Sequence, residues 1–149
     1  MKVRDVMTKS VVTVNPEATI KEVAELMQKH NVGAIPVVDQ SGLKGIVTDR
    51  DLVVRNIASG KDPFSTPVKE IMTSQVTTVT PDEDVQSIAK IMASRQIRRV
   101  PVVENQQLIG MVSLGDIATT GRPELTMEAS EALSEISKPS KPLKTIAPK

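Results

Sequence analysis

Hydrophobic and polar positions along this chain follow one short pattern, and follow it twice. Val11-Val12-Thr13-Val14 is a β-branched run stopped by Asn15-Pro16, which predicts a strand and then a turn. Thr19 and Glu22 stand at the spacing of a capping box, and Ile20, Val23, Ala24, Leu26 and Met27 recur at helical intervals, predicting an amphipathic helix to about Asn31. Ile35-Pro36-Val37-Val38 and Leu43-Lys44-Gly45-Ile46-Val47, joined by Asp39-Gln40-Ser41-Gly42, read as a β-hairpin. Asp49-Arg50-Asp51 then opens a second helix, reaching about Ala58, with its acids where the helix dipole favours them. The same order returns as a strand at Val76–Val79, a helix from an Asp84 cap through Ile88 and Met92, and a hairpin of Val100–Val103 with Leu108–Val112.

The second series lies 65 residues after the first, without a gap: residues 3–54 set against 68–119 give 16 identities in 52 positions. Such an offset marks a duplication, so two units of one design are expected. The predicted organisation is a first repeat at 1–59, a linker at 60–67 rich in Gly, Ser and Pro, and a second repeat at 68–120. Leu125, Ala129, Ala132, Leu133 and Ile136 fit one face of a C-terminal helix at 121–137, and the Pro/Lys/Ser stretch at 138–149 predicts a flexible tail.

Composition narrows the function. Phe64 is the single aromatic residue among 149, so the core must be aliphatic and no stacking platform for single-stranded nucleic acid is present. The absence of cysteine removes disulfides, thiolate metal sites and a cysteine nucleophile. No apolar leader and no 18-residue apolar run occurs, which predicts a soluble, cytoplasmic chain. The net charge is +1, but residues 137–149 carry four lysines and no acid, leaving 1 − 4 = −3 for the remainder. A mildly acidic body argues against a broad footprint on nucleic acid, despite Arg95, Arg98, Arg99 and the tail lysines. No nucleophile–base set, metal-ligand cluster or glycine-rich phosphate loop is visible, so the chain is expected not to be an enzyme. The carboxylates Asp49 and Asp51 lack further metal ligands, and His30, the sole histidine, reads as a surface residue at a helix end.

Three signatures recur in order in both halves: Val6-Met7-Thr8, Ile35-Pro36-Val37-Val38-Asp39 and Gly45-Ile46-Val47-Thr48-Asp49-Arg50-Asp51, echoed by Ile71-Met72-Thr73, Val100-Pro101-Val102-Val103-Glu104 and Gly110-Met111-Val112-Ser113-Leu114-Gly115-Asp116. A β-α-β-β-α unit with these motifs resembles a cystathionine-beta-synthase (CBS) domain, and two in tandem resemble a CBS pair, or Bateman module, of the stand-alone bacterial or archaeal type. The resemblance covers about 1–120. It implies an α/β (α+β) fold in which two β-α-β-β-α repeats pack by their sheets with pseudo-two-fold symmetry, clefts between them that take adenosine-containing ligands, and a homodimer.

Within that resemblance Thr48 and Asp51, and their counterparts Ser113 and Asp116, are the first candidates. Asp51 is suited to accept the ribose hydroxyls and Thr48 to donate to a phosphate or backbone group, while a Thr-x-x-Asp pair at a helix start equally reads as a capping box. Arg98 and Arg99 stand where the first repeat has Gly33 and Ala34, and a guanidinium fork matches a phosphate, although two exposed arginines ending a helix are equally ordinary. Arg50, opposite Gly115 in the duplication, is a third phosphate candidate. Ile35 with Pro36 and Val100 with Pro101 would line the adenine, each proline marking an open strand edge. Met7 and Met72 read as core fillers. The implied function is regulatory sensing of AMP, ADP, ATP or a similar nucleotide, with S-adenosylmethionine or a dinucleotide as other ligands, no required cofactor and a regulated protein of unknown identity. The alternative is a dimeric interaction module with vestigial clefts.

Overall fold

In the computed structural model, which describes residues 1–139, the chain opens with a helical turn that the hydrophobic pattern does not predict, Val3–Val6 (α1). The first long helix follows as expected. Thr19 Oγ1 accepts the Glu22 N–H (3.2 Å), and Ile20–His30 (α2) buries Ile20, Val23 and Met27. Each such side chain contributes about 1.5–3 kcal/mol relative to exposure. The helix stops at Asn31, whose left-handed backbone (φ 53°) ends the winding. Next come Ala34–Asp39 (β1) and Gly42–Thr48 (β2), an antiparallel hairpin with a bulge between Val37 and Val38. Asp49–Asp51 (α3) runs straight into a π-helical segment, Leu52–Ile57, where the Ala58 N–H reaches back to the Val53 carbonyl.

The second repeat has Val85–Arg95 (α4), capped by Asp84 through the Gln86 N–H (3.1 Å), then the hairpin Arg99–Glu104 (β3) with Gln107–Ser113 (β4), and a short Leu114–Ala118 (α5). Pro123–Ile136 (α6) is the expected C-terminal helix. It buries Leu125, Ala129 and Ala132 but leaves Leu133 exposed, so Leu133 does not belong to the packed face. Of the expected tail, residues 140–149 lie outside the described residues.

The predicted strands Val11–Val14 and Val76–Val79 are each reduced to a single parallel bridge, Val14 to Val37 and Val79 to Val102. Prolines explain the loss. Val14 donates to the Pro36 carbonyl (3.1 Å) and accepts from Val38 (2.9 Å). The next rung on one side would need an N–H on Pro36, and on the other an N–H on Pro16, and proline has none. Pro81 and Pro101 confine Val79 in the same way.

Packing divides the chain into two units whose limits differ from those of the repeats. The larger comprises Thr8–Pro81 and Pro101–Met111, with a core of Val14, Ile20, Val23, Met27, Ile35, Val37, Val47, Leu52, Val68 and Ile71. The other comprises, among the described residues, Met1–Met7, Asp82–Val100 and 112–139, and in it α6 lies along α4 and α5 over buried Ile88, Met92 and Ile117.

The reason for the mismatch is an exchange of leading segments. In the larger unit Val68 donates to the Ala18 carbonyl (2.7 Å), and Thr73 and Ile46 exchange both backbone bonds (2.9 and 3.0 Å) along the outer edge of β2. In the other unit Val3 donates to the Glu83 carbonyl (3.0 Å), the same bond 65 residues displaced. The leader of each repeat therefore pairs with the body of the other. Ion pairs follow the same symmetry: Lys69 Nζ meets Glu17 (2.6 Å) and Arg4 meets Asp82 (2.7 Å). The Arg4 hydrogen bond holds the Asp82 carboxyl below its ordinary pKa, and the Glu17 hydrogen bond raises that of Lys69.

Two predictions follow from this exchange. A Cβ on Gly45 would lie 2.7 Å from both Met72 Sδ and the Thr73 carbonyl. Gly45→Ala should therefore destabilise by about 1–3 kcal/mol through the displaced edge segment; an unchanged denaturant midpoint would refute it. Because the folded pKa of Asp82 is depressed, its contribution is present above the ordinary carboxylate range and lost as pH falls through the folded value. Asp82→Asn should flatten the acid limb of a stability–pH profile while leaving its alkaline limb in place.

Candidate functional site

Each hairpin hands the chain to a helix at a Thr/Ser-x-x-Asp step, and both steps are built alike. Thr48 Oγ1 accepts the Asp51 N–H (3.2 Å) and Asp51 Oδ2 accepts the Thr48 N–H (2.9 Å). Ser113 Oγ accepts from Asp116 (3.1 Å) and Asp116 Oδ2 from Ser113 (2.8 Å). Both are complete capping boxes, so the capping reading holds at both junctions. A capping carboxylate spends one oxygen on the backbone and keeps the other as an acceptor, which at Asp51 faces Arg55 (3.6 Å). All four side chains are half-buried, with Asp51 at 13% exposure.

The cationic candidates separate. Arg50 is exposed beside Asp51, and its backbone N–H is taken by its neighbour Asp49 (2.9 Å). Arg98 and Arg99 are also exposed, but the backbone ties them to the second junction: the Leu114 N–H donates to the Arg98 carbonyl (2.8 Å). The equivalent bond in the first repeat runs from Asp49 to the Gly33 carbonyl (3.0 Å), and there Ala34 faces Thr48 across the hairpin ladder. The fold thus ties the Arg98 backbone to the start of α5, where Ser113 and Asp116 form their cap. At the first junction a Cβ on Gly33 would sit 3.0 Å from Asp49 Oδ2, so an acid stands beside the position that is arginine in the second repeat. Asp49, Arg50 and Asp51 sum to −1, whereas Arg98, Arg99 and Asp116 sum to +1.

Ile35, Pro36, Val100 and Pro101 are all buried. The expectation that the prolines lie on open strand edges needs correction. β1 is flanked by β2 on one side and by the Val14 bridge on the other, and Pro36 acts by ending that bridge after one rung. The consequence for a ligand is similar, since the Val12 carbonyl, and that of Thr77 in the second repeat, lose the donor that a continued ladder would have supplied.

Two features escaped the sequence reading. Arg55 Nε lies 3.6 Å from Asp51 Oδ1 and its Nη1 donates to the Ile71 carbonyl (3.3 Å); the Asp-to-Arg spacing of four along a helix was the available signal. Asn56, fully buried in the π-helical segment, has neither side-chain atom hydrogen-bonded among the described residues, and no sequence pattern marks it. Open cavities occur away from the junctions, one of about 420 Å³ between α4 and α6, lined in part by Lys90, Glu128, Glu131 and Glu135, and one of about 460 Å³ beside Glu17, Asp39, Lys44 and Lys69. Among the described residues no three His, Cys, Asp or Glu side chains are grouped so as to hold a metal ion, and His30 is exposed at the end of α2.

The paired junctions and hairpins coincide with a family model, the CBS domain, which matches residues 3–56 and again 68–120. The chain belongs to the CBS-domain family. The CBS domain-containing protein YhcV of Bacillus subtilis is 46% identical over 136 residues, covering 91% of this chain and 94% of that one. Among solved structures, Hypoxic Response Protein I with two coordinated zinc ions superposes with a TM-score of 0.75 at 32% identity, over 82% of this chain and all of that one. The CBS domain pair of protein MJ0100, in complex with 5′-methylthioadenosine and S-adenosyl-L-methionine, gives a TM-score of 0.70 at 33% identity, over 79% of this chain and 93% of that one. CBS repeat 2 here carries Arg98 and Arg99 where repeat 1 has Gly33 and Ala34, and repeat 1 carries Asp49 where repeat 2 has Leu114. No helix among the described residues is long and apolar enough to cross a membrane.

The capping geometry yields its own prediction. Thr48→Ala and Ser113→Ala should each cost about 0.5–2 kcal/mol in ligand-free protein. Equal denaturation curves for wild type and both variants would refute the capping role.

Proposed function

We propose that this protein is a regulatory sensor that binds an adenosine-containing nucleotide such as AMP, ADP or ATP at its strand-to-helix junctions, with the ribose on Asp116 or Asp51 and the phosphate on Arg98 and Arg99. The observation that carries the reading is the bond from the Leu114 N–H to the Arg98 carbonyl, which sets the backbone of Arg98 beside the junction that holds the half-buried Asp116, so that two exposed, flexible arginines start from next to it. Thr48, Ser113 and Arg50 supply further polar contacts, while Ile35, Pro36, Val100 and Pro101, being buried, would meet the base only if the hairpin residues shifted to admit it. The complex of MJ0100 with two adenosine compounds supports the ligand class. Catalysis then resides in the regulated partner, and the chain acts in the cytoplasm as a homodimer with no required cofactor.

A second reading, a dimeric interaction module with vestigial sites, is favoured by one observation. Val53, Val54, Ile57 and Phe64 are exposed at 56%, 43%, 65% and 70% in the larger unit, an apolar surface suited to a protein partner.

Thermal unfolding with AMP, ADP, ATP, S-adenosylmethionine and NAD separates the two. A ligand at about 100 times its Kd stabilises by roughly 2.7 kcal/mol, so at least one should raise Tm by several degrees. A flat response from folded protein across the whole panel would favour the interaction module. For a phosphorylated ligand, Arg99→Ala should weaken binding by about ten- to a hundredfold in calorimetry, as loss of a charge-assisted hydrogen bond does, and Lys44→Ala should not. Equal effects of the two would sink the assignment of the phosphate to Arg98 and Arg99.

A further inference from the structure

Asp51 and Asp116 occupy equivalent places, yet their spare oxygens differ. Oδ2 of each accepts the backbone N–H of its capping partner. Asp51 Oδ1 then faces Arg55 Nε at 3.6 Å, and the same guanidinium reaches on to the Ile71 carbonyl at 3.3 Å, so it is held at two points. Four residues beyond Asp116 stands Thr120, past the end of α5, with its hydroxyl engaged by the Arg122 N–H (3.2 Å). The second oxygen of Asp116 has no partner among the described residues.

We propose that Arg55 is a specificity-determining residue that occupies Asp51 Oδ1, the acceptor a ribose hydroxyl would use, and thereby weakens the first junction for nucleosides while the second stays open. The inference rests on the reading of the two aspartates as ribose acceptors. At 3.6 Å the guanidinium forms an ion pair with Asp51 Oδ1 rather than a hydrogen bond, and it competes with a ribose hydroxyl through its charge and the space it fills beside that oxygen. To bind there, a ligand must displace the side chain from both of its anchors. Arg55 is half exposed (52%), and exposed pairs are weak, so the effect is a modest handicap rather than a block. Asp49 beside Gly33 adds a second bias at the same junction, against phosphate in particular. The first junction is thereby suited to an uncharged nucleoside bound weakly, and the second to a phosphorylated one. One chain would then report on two related ligands over different concentration ranges.

The test uses the full chain and 5′-methylthioadenosine, which has a ribose diol and no phosphate, so that Arg98, Arg99 and Asp49 do not enter. In an Asp116→Ala background, with Asp116→Asn as the second variant if the alanine fails to fold, only the first junction keeps its carboxylate. Adding Arg55→Thr, the residue of the second repeat, or Arg55→Gln should tighten binding about two- to fivefold, the range a surface ion pair commands. The gain should shrink as salt screens the pair in the parent. Adding Asp51→Ala should remove binding altogether. Unchanged or weaker binding with both Arg55 variants, while Asp51→Ala still abolishes it, would overturn the role of Arg55 and leave the ribose reading intact. A lowered Tm with Kd unmoved would reduce Arg55 to a structural residue. If neither Asp116→Ala nor Asp51→Ala affects binding, the ribose reading falls and this inference falls with it.

Discussion

The two backbone bonds that Thr73 and Ile46 exchange, and the two that Thr8 and Met111 exchange, are what the rest of the structure depends on. A two-stranded hairpin by itself is marginal in water, because its outer edge leaves a row of peptide groups unpaired. Here β1 can gain only one rung from the preceding segment, since prolines stand on both sides of it. Stability must come from the other edge, and each hairpin receives it from the leader of the opposite repeat. Gly45 is the geometric condition for this in the first hairpin: only a residue without Cβ lets Met72 and the Thr73 carbonyl approach so closely. Exchange also explains why compact packing units cut across the duplicated sequence, and why half a chain should not be taken as an independent domain.

The same constraint places the chemistry. A strand held on its outer edge delivers Thr48 or Ser113 to a fixed point, and the capping box then turns the chain into a helix with an aspartate in its first turn. One side chain thereby serves two purposes. Its cap oxygen stabilises the turn, and its other oxygen remains for a ligand or, at Asp51, for Arg55. The duplicated geometry is close to identical at the two junctions, with capping distances that agree within 0.1 Å. What differs between the halves is the set of side chains around a constant frame: Gly33 and Asp49 against Arg98 and Leu114, Arg55 against Thr120.

Helices and hairpins were legible because their signals are local. Thr19 and Asp84 cap where the capping pattern puts them, and the apolar spacing behind each matches the buried face of α2 and α4. Thr48, Asp51, Ser113 and Asp116 were equally legible, as hydroxyl and carboxylate at fixed spacing. The first strands were over-read, because β-branched composition says that a segment suits a sheet and not whether its neighbours can donate to it. Pro36 was read as an edge marker, when the side it closes is the one toward Val14. Leu133 fitted a helical face by spacing, but α4 and α5 cover a narrower stripe of α6 than that face would need.

From its sequence alone this protein has a duplicated CBS frame, its capped junctions, and a charge difference between the halves, since these follow from residue identity and spacing. Tertiary structure alone decided which leader completes which hairpin, that Arg98 is tied by its carbonyl to the second junction, that Arg55 reaches Asp51 and the Ile71 carbonyl together, and that Asn56 is sealed away without a partner. These are contacts between segments distant in the chain or bends of a helix into π geometry, and they depend on packing that no local pattern encodes.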